Sequence, residues 1–451
     1  MSVFKAGFAK SNINPDLGIP ICGYYIPRFT KGFLDDLEAR ALALSLEDTK
    51  VLLISLDQCY TEAKLASRIR EAVADATGVS PENIFLSCTH SHTAPCIHPG
   101  ETVEFRSQVE TYVDFLCHRA ADTAVLALAD LKNAKMGFIQ GWAPERIAYI
   151  RRYKMKDGST MTCPPIEDPN IDHAIGELDQ RVHVLRFDRE GGESVVLVNY
   201  GIHSDTIGGE LISSDFPGWM RRTLEKALDG VQCMFFPGAQ GDVGSTHVFP
   251  EGGDMNDTEI SFDNEMKSPG MARFVGRALA GTVLQVYDKV EYIPVDKLQV
   301  LQKTITVPAH VPKPEDMPLA HKYNDLHNAG RDDLIPYEAM ELTTVVAEAA
   351  RMCRLEHGPY SFDLTLMGVR IGDVVLVGIP GEPFSETGMQ IKAIGGYKAI
   401  MPCALVNGSQ GYFPVKSAFD EGGYEARSTN YTSGVAETLV AGARELLEEM
   451  K

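Results

Sequence analysis

The run Asn83-Ile84-Phe85-Leu86-Ser87-Cys88, continuing into Thr89-His90-Ser91-His92-Thr93-Ala94-Pro95, decides how this chain is read. Its first half is apolar and short enough to be a buried strand. Its second half places two imidazoles one residue apart, where that strand runs out into a loop. In open α/β sheets, ligands collect outside the carboxyl ends of the strands. If the strand persists through the pair, His90 and His92 share one face, because side chains alternate along a strand. Neutral imidazole is the commonest metal ligand. The pair therefore reads either as one ligand plus a substrate-facing group or as two ligands.

Outward from that run, strand-like and helix-like segments alternate, the pattern of an α/β protein with mixed β-sheets flanked by helices. Residues 51–56 form a buried-strand run with Asp57 at its end. Thr61 is placed to cap the next helix, which carries Leu65, Ile69 and Ala72 on one stripe and closes at Gly78. A long helix is predicted from about 108 to 131. Residues 182–187 and 194–200 read as a hairpin turned by Glu190-Gly191-Gly192, and its second strand leads into Gly201-Ile202-His203. The run 231–236 delivers Gly238-Ala239-Gln240-Gly241-Asp242-Val243-Gly244. The runs 364–370 and 374–379, turned by Gly372-Asp373, deliver Pro380-Gly381-Glu382.

Several strand-like runs thus end in a residue able to bind a cation: His90, His203 and Glu382, with Asp57 and Asp242 as further candidates. Two histidines and a glutamate are a familiar zinc set, with the fourth position open to water. Plainer readings exist for single members. His203 can be a core histidine bonded to Asp205, Glu382 can cap a helix starting near Phe384, and His183, inside a strand, reads as structural. The acidic stretch 251–270 reads as a loop, either a lid or a solvated connection. The stretch 308–336, rich in proline and charge, also reads as a loop; there a single domain spanning 1–451 would divide into two lobes. His321 and His327 within it are taken as surface residues.

The 451 residues are 44% hydrophobic and 23% charged, ordinary for a soluble globular protein. The net charge of -20 speaks against nucleic acid and against docking on an anionic membrane. No basic-then-apolar leader opens the chain and no stretch has the length of a membrane span. The nine cysteines form no CxxC pair, which suits reduced thiols. The expectation is a cytoplasmic protein acting on a small molecule; the oligomeric state is not legible.

Ala6-Gly7, Gly18-Ile19-Pro20-Ile21-Cys22-Gly23-Tyr24, Thr89 to Pro95, Gly241-Asp242-Val243 and Pro380-Gly381-Glu382 occur in the order found in neutral ceramidases. The chain resembles their catalytic domain over nearly its whole length. Asn199-Tyr200-Gly201-Ile202-His203 is similar to the context of that family's second histidine ligand. Gly411-Tyr412, with Tyr424-Glu425 twelve residues on, is similar to its tyrosine ligand and second active-site tyrosine.

The resemblance implies Zn²⁺ held by His90, His203, Glu382 and Tyr412, the last as phenolate. Zinc would bring the pKa of water from about 15.7 towards about 7 and so supply a nucleophile for a carbonyl. It also implies that His92 and Tyr424 serve the oxyanion or the leaving nitrogen, and that an arginine near substrate is Arg151, with Arg152 beside it as the other choice. Considered alone, the arginine pair reads as a surface salt bridge. The family's Gly-Asp-Val-Ser-Pro-Asn becomes Gly241-Asp242-Val243-Gly244-Ser245-Thr246, which puts serine one place late and favours water as nucleophile. Larger ceramidases continue into a β-sandwich domain beyond this length. With the acidic balance, that points to a soluble amide, ester or lactone rather than ceramide. A closed structural zinc site in a binding protein and a metal-dependent phosphoesterase are the alternatives.

Overall fold

Every residue of the strand Glu38–Leu46 after Glu38 is buried, so both faces of its sheet must be covered. The computed structural model, which describes residues 3–98, 105–261 and 263–451, supplies the covering layers. The larger sheet has nine strands. They are β1 (Lys5–Asn12), β2 (Glu38–Leu46), β3 (Thr49–Leu56), β4 (Ile84–Cys88), β5 (Lys132–Trp142), β6 (Arg181–Arg189), β7 (Ser194–Tyr200), β8 (Val231–Pro237) and β9 (Glu291–Ile293). Their order is β8-β7-β6-β5-β1-β2-β3-β4, with β9 added beside β5. A four-stranded sheet follows, β10 (Leu298–Pro308), β11 (Ser361–Ile371), β12 (Val374–Gly378) and β13 (Ala399–Cys403), paired in chain order.

Alternation sorts the side chains into layers. Ala39, Ala41 and Ala43 of β2 enter an outer core with helices α1 (Ala63–Thr77) and α2 (Arg106–Ala129). Leu42, Leu44 and Leu46 enter a central core shared with Met367, Val369, Leu376 and Met401 of the smaller sheet. Val196 and Val198 of β7 face α3 (Asp215–Ala227) and α4 (Pro269–Val286), while Val195 and Leu197 enter the central core. A helical pair, α5 (Met317–Asn328) and α6 (Ala339–Leu355), keeps a small core of its own around Met317, Tyr323, Val345 and Val346. The outer face of the smaller sheet packs on α7 (Ser385–Lys392) and on the last helix, which follows the short α8 (Tyr424–Ser428) and is numbered α9 (Val435–Glu449). The result is two sheets face to face with helices outside both.

Within these two sheets three strand pairs are parallel: β3 with β4, β7 with β8, and β12 with β13. A parallel pair needs a crossover, and α1, α3 and α7 provide them. The sheet's twist accumulates until its two ends meet. Ser55 Oγ on β3 donates to Phe235 O on β8 at 2.9 Å, and Arg40 Nη1 on β2 donates to Cys233 O at 2.6 Å. The carboxyl ends of all three parallel pairs therefore converge.

The structure differs from the sequence reading in places. Residues 308–336 contain α5 rather than an open loop, because Met317, Ala320 and Tyr323 find a partner face on α6. The stretch 251–270 holds a two-residue strand pair, Glu259–Ile260 with Met266–Lys267, before α4 begins at Pro269. The N-cap of α1 is Glu62, not Thr61, while Gly78 closes that helix in the left-handed region at φ 71°. Asp57 is spoken for: Arg221 donates to both of its oxygens, at 2.9 and 2.6 Å, in a buried pair. Asp242 accepts the Ser385 amide at 2.7 Å and so holds the start of α7. Among the described residues, neither aspartate belongs to a cluster that could hold a cation.

Candidate metal centre

The convergence of the three parallel pairs brings His90 from the end of β4, His203 from the end of β7 and Glu382 from the end of β12 into one buried group, with ligand atoms all within 4.8 Å of one another. His90 adopts φ 70°, a left-handed conformation that a residue with a Cβ adopts only when its surroundings hold it there. Its Nδ1 lies 2.8 Å from Cys59 O, at the end of β3. The Nδ1 of His203 lies 2.7 Å from Gln240 O, at the end of β8. A carbonyl oxygen only accepts, so both Nδ1 atoms carry the proton and both neutral rings present a bare Nε2. These nitrogens face the same Glu382 oxygen, at 3.2 Å from His90 and 3.1 Å from His203.

His203 Nε2 and Glu382 Oε2 are buried and have no hydrogen-bond partner. Three lone-pair atoms pointing at one another need a positive charge between them, and one proton serves only one pair. The protonation tendencies say the same. Burial disfavours a charged His90, but the Glu382 carboxylate outweighs it and pulls the histidine up. His203 is pushed down to about 4 by burial and then by the Arg151 charge. Glu382, which burial alone would raise, is held below the usual carboxylate range by the two imidazoles. This donor set fits a divalent ion of the zinc type.

Tyr412 pairs with Glu382 in a short parallel bridge, and its ring stacks on His203 at 6.4 Å. Its hydroxyl accepts from Arg151 Nη2 at 3.1 Å. Burial and then the Glu382 charge push its pKa well up, so a phenolate there needs a neighbouring cation. His92 belongs to a different grouping, with His90 and Cys59. Its Nε2 is 3.3 Å from His90 Nε2 and its Nδ1 is 3.5 Å from Asp205 Oδ2. Burial, followed by the His90 and His203 charges, pushes His92 far down and keeps it neutral. Tyr424 packs edge-on to Tyr412 at 5.6 Å.

The structure separates the two arginines. Arg151 donates to Glu425 Oε1 at 2.7 Å, to Gly241 O at 2.9 Å and to Tyr412. Arg152 turns away to Glu421 Oε2 at 3.0 Å and Gly422 O at 2.9 Å. Both are partly buried ion pairs rather than exposed ones. His203 bonds Gln240 and not Asp205, and Glu382 makes no capping bond to α7. His183 is buried in β6, 5.4 Å edge-on to Phe138.

A small cavity of ≈ 50 Å³ borders this group, lined by His92, Arg151, Tyr412 and Tyr424, with Met340 and Thr343 of α6 above them. Asp205, Asp263, Glu265 and Cys163 line it as well, and sequence reasoning assigned these no role there. They arrive on turns whose direction is set by distant packing. The one available signal was the pair of charges flanking an apolar residue in Glu265-Met266-Lys267. Ser245 faces a separate cavity of ≈ 710 Å³, together with Tyr149, His247 and Met266.

Fold and site together define a mixed α/β protein with a candidate metal centre at converging strand ends. Among solved structures, the chain is similar to neutral ceramidase from Pseudomonas aeruginosa, with TM-score 0.73 and 16% identity over 100% of this chain and 75% of that one. It is also similar to a ceramidase complexed with C2, with TM-score 0.72 and 16% identity over 100% and 76%. The chain has a neutral-ceramidase-like fold. No family profile matches it and no curated protein matches it. Among the described residues, no helix is long and apolar enough to cross a membrane.

Proposed function

We propose that this chain is a zinc-dependent hydrolase that cleaves an amide bond, or an ester or lactone, of a small soluble substrate with activated water. The observation that carries the reading is the meeting of two bare imidazole nitrogens on one Glu382 oxygen beside a cavity. His90, His203, Glu382 and Tyr412 would hold the ion. When bound, it supplies Lewis acidity, enough to bring water's pKa from about 15.7 towards about 7.

The remaining chemistry belongs to the chain. Tyr424 lines the cavity as a neutral group able to donate a hydrogen bond to a carbonyl oxygen as charge develops there, and His92, neutral as well, offers a ring nitrogen able to take the proton of the attacking water and pass it to a leaving nitrogen. Arg151 steadies the Tyr412 oxygen and is itself fixed by Glu425. A closed structural site has little use for a cavity lined by these groups. A two-metal phosphoesterase needs a second cation among carboxylates, and the three carboxylates available, Asp205, Asp263 and Glu265, already surround the Lys267 ammonium.

Protein purified without chelator should carry about one equivalent of zinc per chain, and His203→Ala should lose it. The zinc-loaded protein should hydrolyse members of a panel of short amides, esters and lactones faster than long-chain ceramide. Full metal occupancy in His203→Ala, or no hydrolysis by zinc-loaded protein across panel and ceramide alike, would overturn the proposal.

A further inference from the structure

Lys267 is a buried ammonium inside a site shaped for a cation. Its Nζ lies 2.5 Å from Asp205 Oδ2, 2.8 Å from Glu265 Oε2 and 3.8 Å from Asp263 Oδ2. The carboxylate oxygens of those three residues lie within 4.8 Å of one another, as they would around a metal ion. Burial disfavours the charged lysine, but the surrounding carboxylates outweigh it and keep it protonated. Lys267 also donates to the Tyr24 hydroxyl, and Tyr24 in turn donates to the other Asp205 oxygen at 2.5 Å. Both oxygens of Asp205 are therefore held, and the carboxylate cannot turn.

Asp205 in turn faces His92 Nδ1 at 3.5 Å, a buried ring nitrogen with no hydrogen-bond partner. The rest of His92 is clamped. Arg28 Nη2 donates to its carbonyl at 2.7 Å, its amide donates to Ser204 O at 3.1 Å, and Tyr24 stands edge-on to its ring at 5.7 Å. What remains to be set is the ring's own rotation and tautomer. Burial, with Glu265 and Asp263 close by, pushes the Asp205 carboxyl up, but Lys267 and Tyr24 donate to its two oxygens and so present it to Nδ1 as an acceptor. That favours the proton on Nδ1 and leaves a bare Nε2 towards His90 and the cavity.

We propose that Lys267 is a positioning residue: a tethered cation that fills the three-carboxylate site and, through Asp205 and Tyr24, fixes the orientation and tautomer of His92. The inference rests on the proposed hydrolytic role of His92 for its functional meaning, but the geometry it describes can be tested without turnover. Truncation at Cβ leaves a space shaped like propylammonium, so that cation is the probe.

In Lys267→Ala, zinc content and KM should stay near the parent values while kcat falls roughly 10–100-fold, the scale for outer-shell partners. Propylammonium should recover much of the loss, and propanol at the same concentration should not. Spectra of ¹⁵N-histidine-labelled protein, with His92 assigned from His92→Asn, should show the His92 ring signals shift in Lys267→Ala and return with propylammonium. If Lys267→Ala does not fold, Asp205→Asn should produce the same His92 shift with Lys267 in place. Unchanged His92 signals in whichever of these variants folds would overturn the inference. So would a loss of kcat that propylammonium leaves untouched. If the parent protein hydrolyses nothing, the proposed function fails, while the His92 spectra still decide the role of Lys267.

Discussion

Replacing Gly23 by alanine separates the placement of His92 from the binding of metal. Gly23 has φ +105°, and a Cβ there would lie 2.8 Å from Cγ and Nδ1 of the His92 ring and 2.9 Å from its Cβ. Carbon atoms are comfortable at about 3.5 Å or more, so methyl and ring must part by roughly 0.7 Å. The His92 backbone is held by Arg28 and by Ser204 O, so the ring must turn aside while the Gly23 segment gives way to clear the His92 Cβ. The left-handed backbone adds a cost of about 1–2 kcal/mol for any residue with a Cβ. A 1 Å misplacement of a reacting group can cost about 100-fold in rate, so a shift of this size should lower kcat roughly 10–100-fold. Zinc analysis, thermal unfolding and steady-state kinetics on the best substrate of the panel make the assay. The expected protein is folded, melts about 1–2 °C lower, retains its zinc and keeps its KM. A folded Gly23→Ala protein with parental kcat would refute the reasoning. Loss of zinc would do so differently, by placing His92 among the ligands.

His92→Asn should keep the metal and lose turnover by about 100-fold or more, and metal loss in that variant would invert the two histidine roles. Ser245→Ala should retain most activity, because Ser245 opens on the separate cavity beside His247; an inactive but folded, zinc-loaded variant would contradict this. Acid stability follows from Glu38 and Glu225, which burial would raise but the Arg40 guanidinium holds below the usual carboxylate range. Their folded pKa values lie below the unfolded ones, so this stability is present above about pH 4.3 and lost as pH falls below it. Urea unfolding between pH 3 and 5 should show stability rising with pH, and that slope should flatten or reverse in Arg40→Met.

The α/β class was legible because β3, β4, β6, β7, β8, β11 and β12 announce themselves as short apolar runs and α1 as a periodic helix. The hairpin reading of 182–187 with 194–200 matches β6 and β7, and the reading of 364–370 with 374–379 matches β11 and β12. These pairings are local, and their turn residues lie in the sequence. The candidate ligands His90, His203 and Glu382 were legible for a related reason: each stands just past an apolar run, where a polar residue has no packing purpose. Tyr412 and Tyr424 came only from ordered family motifs, since neither terminates such a run.

What the sequence could not carry was anything set by the curl of the larger sheet. Asp57 and Asp242 look like ligands at strand ends, yet Arg221 on α3 claims one and the Ser385 amide claims the other. Arg151 and Arg152 are adjacent and chemically identical, and only the tertiary path of the chain, with Arg151 between two short strands and Arg152 opening the second, sends one to Tyr412 and the other to Glu421. Residues 317–328 are too polar to declare a helix alone and become one because α6 offers an apolar face. The meeting of Lys267 with Asp205 and Tyr24 joins three segments far apart in the chain. By itself the sequence determined which residues can carry charge, metal or a strand, because those are properties of side chains and their near neighbours. Which of them meet was decided by tertiary structure, because twist and layer packing bring together strand ends that no local spacing relates.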